Sequence, residues 1–133
     1  MNTSKNDNPE ITEPATPASS YEHLPQVNKE LRGHEFYPQV PIPALYETEE
    51  VEAENKVIHA KYFHPAGTWL VAEIELSTGL AFGYAKLASN PSGAEWGYFS
   101  LPELEQIATH GGYVVIERDC YFTPTKFSEM GIE

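Results

Sequence analysis

Lys56–His64 (KVIHAKYFH), Thr68–Leu76 (TWLVAEIEL) and Leu80–Leu87 (LAFGYAKL) follow one another with only Pro65-Ala-Gly67 and Ser77-Thr-Gly79 between them. Each run is short and rich in β-branched or aromatic residues, and each gap is a glycine-bearing turn. That spacing predicts antiparallel strands joined by tight turns, a β-meander. Glu95–Phe99 (EWGYF) reads as a fourth strand after a loop at Ser89–Gly93, and Tyr113–Asp119 (YVVIERD) as a fifth. Between them Ser100-Leu-Pro-Glu103 has the form of a capping box, in which the Ser hydroxyl takes a free backbone N–H and Glu103 reaches back. Leu101, Leu104 and Ile107 or Ala108 then share one helical face, and Gly111-Gly112 marks the helix end. Ser128-Glu-Met130 suggests a last helical turn. The expected fold is α+β: an antiparallel meander sheet of about five strands with one main helix.

Upstream of the first strand the composition changes. Residues 1–41 hold 6 of the 11 prolines, with Asn, Ser, Thr and Glu between them. Apolar residues are too sparse there to offset the entropy of ordering the chain. Met1 to about Ser20 is expected to be disordered. Tyr21–Pro41 carries Leu24, Val27, Leu31, Phe36, Tyr37 and Val40. It is expected to run extended, to form a short helix near Gln26–Arg32, or to dock on the domain. Two parts result: a disordered or extended Pro-rich tail over 1–41 and an α+β domain over 42–133. Within the second, Pro43-Ala-Leu-Tyr46 suggests one helical turn. Glu47, Glu49, Glu50, Glu52 and Glu54 then follow in a loop that mutual repulsion should keep solvated.

The chain has 133 residues, 41% of them hydrophobic and 12% aromatic, which allows one modest core. Its single cysteine, Cys120, excludes an internal disulfide, suits a reducing compartment and should pack as a small apolar group. Met1–Glu10 is polar and lacks a signal-peptide core, and no apolar run approaches the roughly 20 residues needed to span a bilayer. A cytoplasmic location without membrane contact is therefore expected. The formal net charge of −12 repels phosphates at long range, so direct nucleic-acid binding is not expected. The same charge either keeps the protein in solution or suits a protein partner with a basic surface.

Alternation assigns side chains to strand faces. Leu70, Ala72, Ile74 and Leu76 share one face, against Trp69, Val71, Glu73 and Glu75. Ile58, Ala60 and Tyr62 oppose Val57, His59, Lys61 and Phe63. Val114, Ile116, Arg118 and Cys120 oppose Tyr113, Val115, Glu117 and Asp119. One face of each strand is apolar. The other gathers Lys61, Trp69, Glu73, Glu75, Tyr84, Lys86, Tyr98, Glu117 and Asp119. Two readings stand. The face is solvated and carries cross-strand ion pairs such as Lys61 with Glu73. Or it is a ligand or partner surface, with aromatics supplying area and charges supplying orientation.

Arg118 falls on the apolar side, where a charge needs a partner. A structural pair with Glu95 or Glu103 is one reading, and an anion receptor the other. Glu73, Glu75, Glu117 and Asp119 would place carboxylates on one face, but no loop with metal-ligand spacing accompanies them. The sequence has no Walker loop, GxGxxG, GxSxG or HExxH, and nothing pairs a nucleophile with a base. Neither a catalytic residue, a metal nor a cofactor is expected.

Several stretches, taken together, resemble the domain-of-unknown-function 2958 family, small proteins of bacteria, plasmids, integrative elements and phages. They are Pro43-Ala-Leu-Tyr46, Lys56–Phe63, Trp69 with Glu73, Phe82-Gly83, Glu95-Trp-Gly-Tyr-Phe-Ser-Leu-Pro-Glu-Leu104, and Ile116-Glu-Arg-Asp119 with Phe122. The chain is shorter than the family pattern between the second and third strands, and its tail lies outside the resemblance. The resemblance brings no catalytic residues. It implies an accessory gene of a mobile element, concerned with conjugation or with countering host defence. Two functions are expected on these grounds. One is a non-enzymatic binding protein that masks a basic, nucleic-acid-binding protein through the acidic surface of Glu47, Glu49, Glu50, Glu52 and Glu54. The other is a small-molecule or nucleotide-binding domain that uses the aromatic and charged sheet face, with Arg118 or Lys61 holding an anion.

Overall fold

The computed structural model describes residues 20–132. The expectation for Met1 to about Ser20 therefore falls, but for its last residue, outside the described residues. The first element is a single helical turn, α1 (Lys29–Arg32), closed by Gly33 in the left-handed conformation. A sheet of five antiparallel strands follows. Strands β2 (Ala60–His64), β3 (Gly67–Glu75), β4 (Leu80–Leu87) and β5 (Asn90–Ser100) lie side by side in chain order, and β8 (Glu117–Arg118) returns to the far side of β2. The meander and the five-stranded antiparallel sheet are thus as the strand spacing predicts. Short pieces complete the fold. They are β1 (Val57–Ile58) paired with β9 (Thr125–Lys126), helix α2 (Leu101–Glu105), and the hairpin of β6 (Ala108–Thr109) with β7 (Val114–Val115).

Three local expectations are corrected. The helix opened by Ser100 is capped as expected, its hydroxyl accepting the N–H of Glu103 at 3.2 Å, but it stops at Glu105. Gly111-Gly112 does not end it. With His110, those glycines take positive φ and turn the β6–β7 hairpin. The fifth strand is not continuous. It breaks at Ile116, whose carbonyl accepts the Nε–H of Arg32 at 2.8 Å instead of entering a ladder. The loop expected over Ser89–Gly93 lies largely within β5, as a bulged stretch between the pairs Leu87–Asn90 and Ala85–Glu95.

The face assignments need a larger correction. The central strand β3 is buried on both sides, because two cores cover the sheet. One joins Trp69, Val71 and Ile74 to Tyr62, Ala81, Leu101, Leu104 and Ile116. The other joins Leu70 and Ala72 to Ile58, with Tyr84, Trp96, Phe122 and Phe127 packed against them. A β-bulge between Val71 and Glu73 changes the parity along β3, so Ile74 returns to the face of Trp69 and Glu73 does not. Tyr84 pairs with Leu70 and so lies on the face opposite Trp69. Opposite the bulge, Gly83 is required: a Cβ there would lie 1.7 Å from the carbonyl oxygen of Leu70.

Packing continues upstream of residue 42. Phe36 and Tyr37 are fully buried in the first core, and Tyr21 stacks on Tyr37 with ring centroids 5.4 Å apart. The segment 20–41 is held by a buried ion pair. Arg32 Nη1 donates to Glu105 Oε2 at 2.9 Å, and both side chains are wholly inaccessible to solvent. Glu105 also accepts the backbone N–H groups of Val27 and Asn28, and the Arg32 guanidinium lies 4.5 Å from the Phe36 ring. Every charge-bearing oxygen is thereby used, which is the condition for such a pair to be tolerated.

Candidate functional site

The residues 43–56 run along the second face of the sheet. Ile74 N–H donates to the Pro43 carbonyl, which seats the segment beside β3. Tyr46, in the left-handed conformation at φ 70°, opens a series of turns. The Glu73 carboxylate holds that turn. It accepts the N–H of Tyr46 at 2.8 Å, the N–H of Thr48 at 3.0 Å and the Thr48 hydroxyl. The buried Lys56 ammonium donates to Thr48 as well and stands 3.9 Å from Glu73. Glu73 is therefore an anchor for the loop, and its cation is Lys56, not Lys61, which sits across from Leu70.

The loop so fixed projects Glu47, Glu49, Glu50, Glu52 and Glu54, all exposed. Among the described residues their side chains make one hydrogen bond, which Glu47 accepts from Ala44 N–H. Beside them the sheet presents an unbroken file of rings. Tyr46 meets Tyr98 at 6.5 Å, Tyr98 meets Phe82 at 5.1 Å, and Phe82 meets Trp96 at 5.9 Å. Trp96 then meets Tyr84 at 5.8 Å, and both touch Phe127. The file runs from half-buried to open: Tyr46 and Tyr98 expose 61% and 52% of their surface. A side-chain hydrogen bond with Tyr46 raises the pKa of Tyr98, and partial burial and the charges of Glu73 and Glu49 add to this. The pair offers two rings and a hydroxyl pair flanked by carboxylates, a surface suited to cationic side chains.

The remaining candidates do not join this surface. Trp69 is 7% exposed inside the first core. The Glu117 carboxylate oxygen Oε1 accepts from His34 Nε2 at 2.8 Å, and Asp119 accepts the N–H of Tyr121. Glu75 accepts the hydroxyl of Thr78. The four carboxylates Glu73, Glu75, Glu117 and Asp119 are dispersed, and no metal-binding group of three is found among the described residues. Arg118 pairs with neither Glu95 nor Glu103. It stands on the β8 edge of the sheet, four strand spacings of roughly 4.8 Å from Glu95 on β5. Its Nε donates to the Glu35 carbonyl at 2.9 Å, while its Nη donors make no hydrogen bond among the described residues. Arg118 and Asp119 line a hollow of about 110 Å³ together with His59, Gln39, Cys120 and Phe122. Burial lowers the pKa of His59 there. Cys120 is exposed, contrary to its expected packing.

Sequence reasoning missed Tyr46, Phe82 and Trp96 as members of the ring file. The period-2 pattern of Phe82 and Tyr84 against Trp96 and Tyr98 carries the signal, since β4 and β5 pair in that register.

A small sheet domain with short helices, a fixed acidic loop and an open aromatic pair defines a class, the small β-rich domain of mixed α/β build. Residues 43–129 match the family model described as protein of unknown function (DUF2958), and the chain belongs to that family. No curated protein and no solved structure matches it.

Proposed function

We propose that the chain is a non-enzymatic binding protein whose acidic loop and open tyrosine pair cover a basic surface of a protein partner. One observation carries the reading: Glu73 and Lys56 fix the loop of Glu47–Glu54 against the sheet beside Tyr46 and Tyr98. A merely solubilising acidic loop has no need of a buried carboxylate to set its shape. Fixed carboxylates lose little freedom on binding, and neighbouring rings add desolvated area. A nucleic-acid-binding enzyme is the partner type that such a surface suits, and masking it would serve a mobile element facing host defence or engaged in conjugation. The test is an affinity capture from host lysate with the full chain and with Glu49→Lys/Glu50→Lys/Glu52→Lys side by side. A partner retained by the first, lost by the second and released by salt supports the reading. A partner held equally by both, regardless of salt, overturns it.

The alternative, a small-molecule or nucleotide site, is favoured by the Nη groups of Arg118, which make no hydrogen bond among the described residues. At about 110 Å³ the hollow beside them suits a small anion better than a nucleotide. A thermal-shift series with phosphate, acetate and nucleotides tests it. A ligand at about 100 times its Kd adds roughly 2.7 kcal/mol, and no shift removes this reading.

A further inference from the structure

The two edges of the five-stranded sheet are treated differently. At β8 the chain covers its own edge. Arg32 and Arg118 bond to the carbonyls of Ile116 and Glu35, and His34 lies against Glu117. At β5 there is no such cover among the described residues. Glu95–Ser100 pairs with Leu80–Ala85 along one side. On the other side the N–H and C=O groups of alternate residues have no backbone partner among the described residues. The six residues EWGYFS contain no proline and one charge. The bulge with Pro91 protects only the end nearer Asn90. Natural sheets usually blunt such an edge with charge, proline or a covering segment.

Side chains next to this edge say what would lie along it. Trp96 and Tyr98 point to the second face, and the file of rings ends there with Tyr98 half open against Tyr46. A strand added along β5 would set every second side chain beside those two residues. A cationic one would meet the tyrosine rings and the exposed Glu47, Glu49 and Glu50 together. A second copy of the chain would instead bring a further −12 and its own acidic loop to the same place.

We propose that the free edge of β5 receives an extended segment of a basic protein partner as an added sheet strand, its alternate Lys or Arg side chains lying on Tyr98 and Tyr46 beside the acidic loop. This rests on the partner-binding reading and gives it a mode.

The experiment uses the full chain, isotope-labelled, with a blocked Thr-Lys-Val-Lys-Val-Lys-Thr peptide. A second peptide has the same sequence and charge, with its central amides N-methylated. Slowed amide exchange within Glu95–Ser100 is expected with the first peptide. The N-methylated peptide should bind on the order of tenfold or more weakly, since it cannot donate the ladder hydrogen bonds. Tyr98→Ala and Glu49→Lys should each weaken the first peptide. Equal, salt-sensitive binding of both peptides would overturn strand addition while leaving the acidic surface intact as a binding site. No binding of either would also overturn it, and the lysate capture then judges the wider reading separately. Protection of the same amides with rising protein concentration and no peptide would overturn the choice of occupant in favour of a second copy.

Discussion

The carboxylate of Glu73, on the central strand, accepts the backbone N–H of Tyr46, 27 residues earlier, at 2.8 Å. The contact joins the buried middle of the sheet to the most exposed acidic stretch of the protein. It converts a surface loop into a shaped one.

Glu73→Gln keeps the size of the side chain but loses an acceptor and the charge that faces Lys56. We expect a loss of about 1–3 kcal/mol, the cost of leaving buried donors unsatisfied. Thermal denaturation measures the loss. Faster amide exchange at Tyr46 and Thr48, with β3 unchanged, would locate it in the loop; uniform loosening would contradict the anchoring role.

Arg32→Met leaves Glu105 buried without its cation. A loss of about 3–5 kcal/mol is expected from breaking such a pair. Urea titration at neutral pH reads it directly. A loss under about 1 kcal/mol would show that the pair is dispensable.

A chain of residues 42–133 lacks Phe36, Tyr37 and Arg32, all buried. It is expected to give a broad, weak thermal transition, whereas residues 20–133 should melt cooperatively. Circular dichroism and calorimetry decide the matter.

Gly83→Ala puts a methyl group where the Leu70 carbonyl already stands. A change of that kind forces backbone shifts, and a cost of at least about 2 kcal/mol is expected. The bulge at Val71–Glu73 should then be disturbed first, visible as chemical-shift change at Tyr46 through Glu73.

Alkaline pH supplies a further measurement. Burial raises Tyr37 to about 12, with the charge of Glu105 adding, and burial raises Tyr62 strongly. Folded pKa values above the unfolded value mean stability complete below about pH 10 and lost as pH rises toward the folded values. Each fully buried tyrosine adds a slope of up to about 1.4 kcal/mol per pH unit in that window. Denaturant titrations at pH 9, 10 and 11 should show an accelerating fall, and Tyr37→Phe should reduce it.

The parts of the fold legible in the sequence are those governed by near neighbours. Strand periodicity and turn glycines define the meander because each hairpin closes over a few residues. The capping role of Ser100 is legible for the same reason. The bulge at Val71–Glu73 is not, since it depends on Gly83 across the ladder, and one misplaced residue reverses every later side chain. That single step placed Trp69 with Glu73. Gly111-Gly112 suited a helix end and a hairpin turn equally, and only the pairing of Ala108–Thr109 with Val114–Val115 separates them. Of the candidate site, Tyr98 and the acidic residues were legible as exposed groups. Tyr46 was not, because its position depends on Glu73.

The Arg32–Glu105 pair also has a consequence in time. Its partners are 73 residues apart in the chain. A ribosome adding about 5–20 residues per second delivers Glu105 roughly 4–15 seconds after Arg32. Through that interval Phe36 and Tyr37 have neither Leu101 nor Ile116 to pack on. The N-terminal segment is made first and seated late, so the nascent chain carries an incompletely buried aromatic pair until Leu101 and Ile116 have been made.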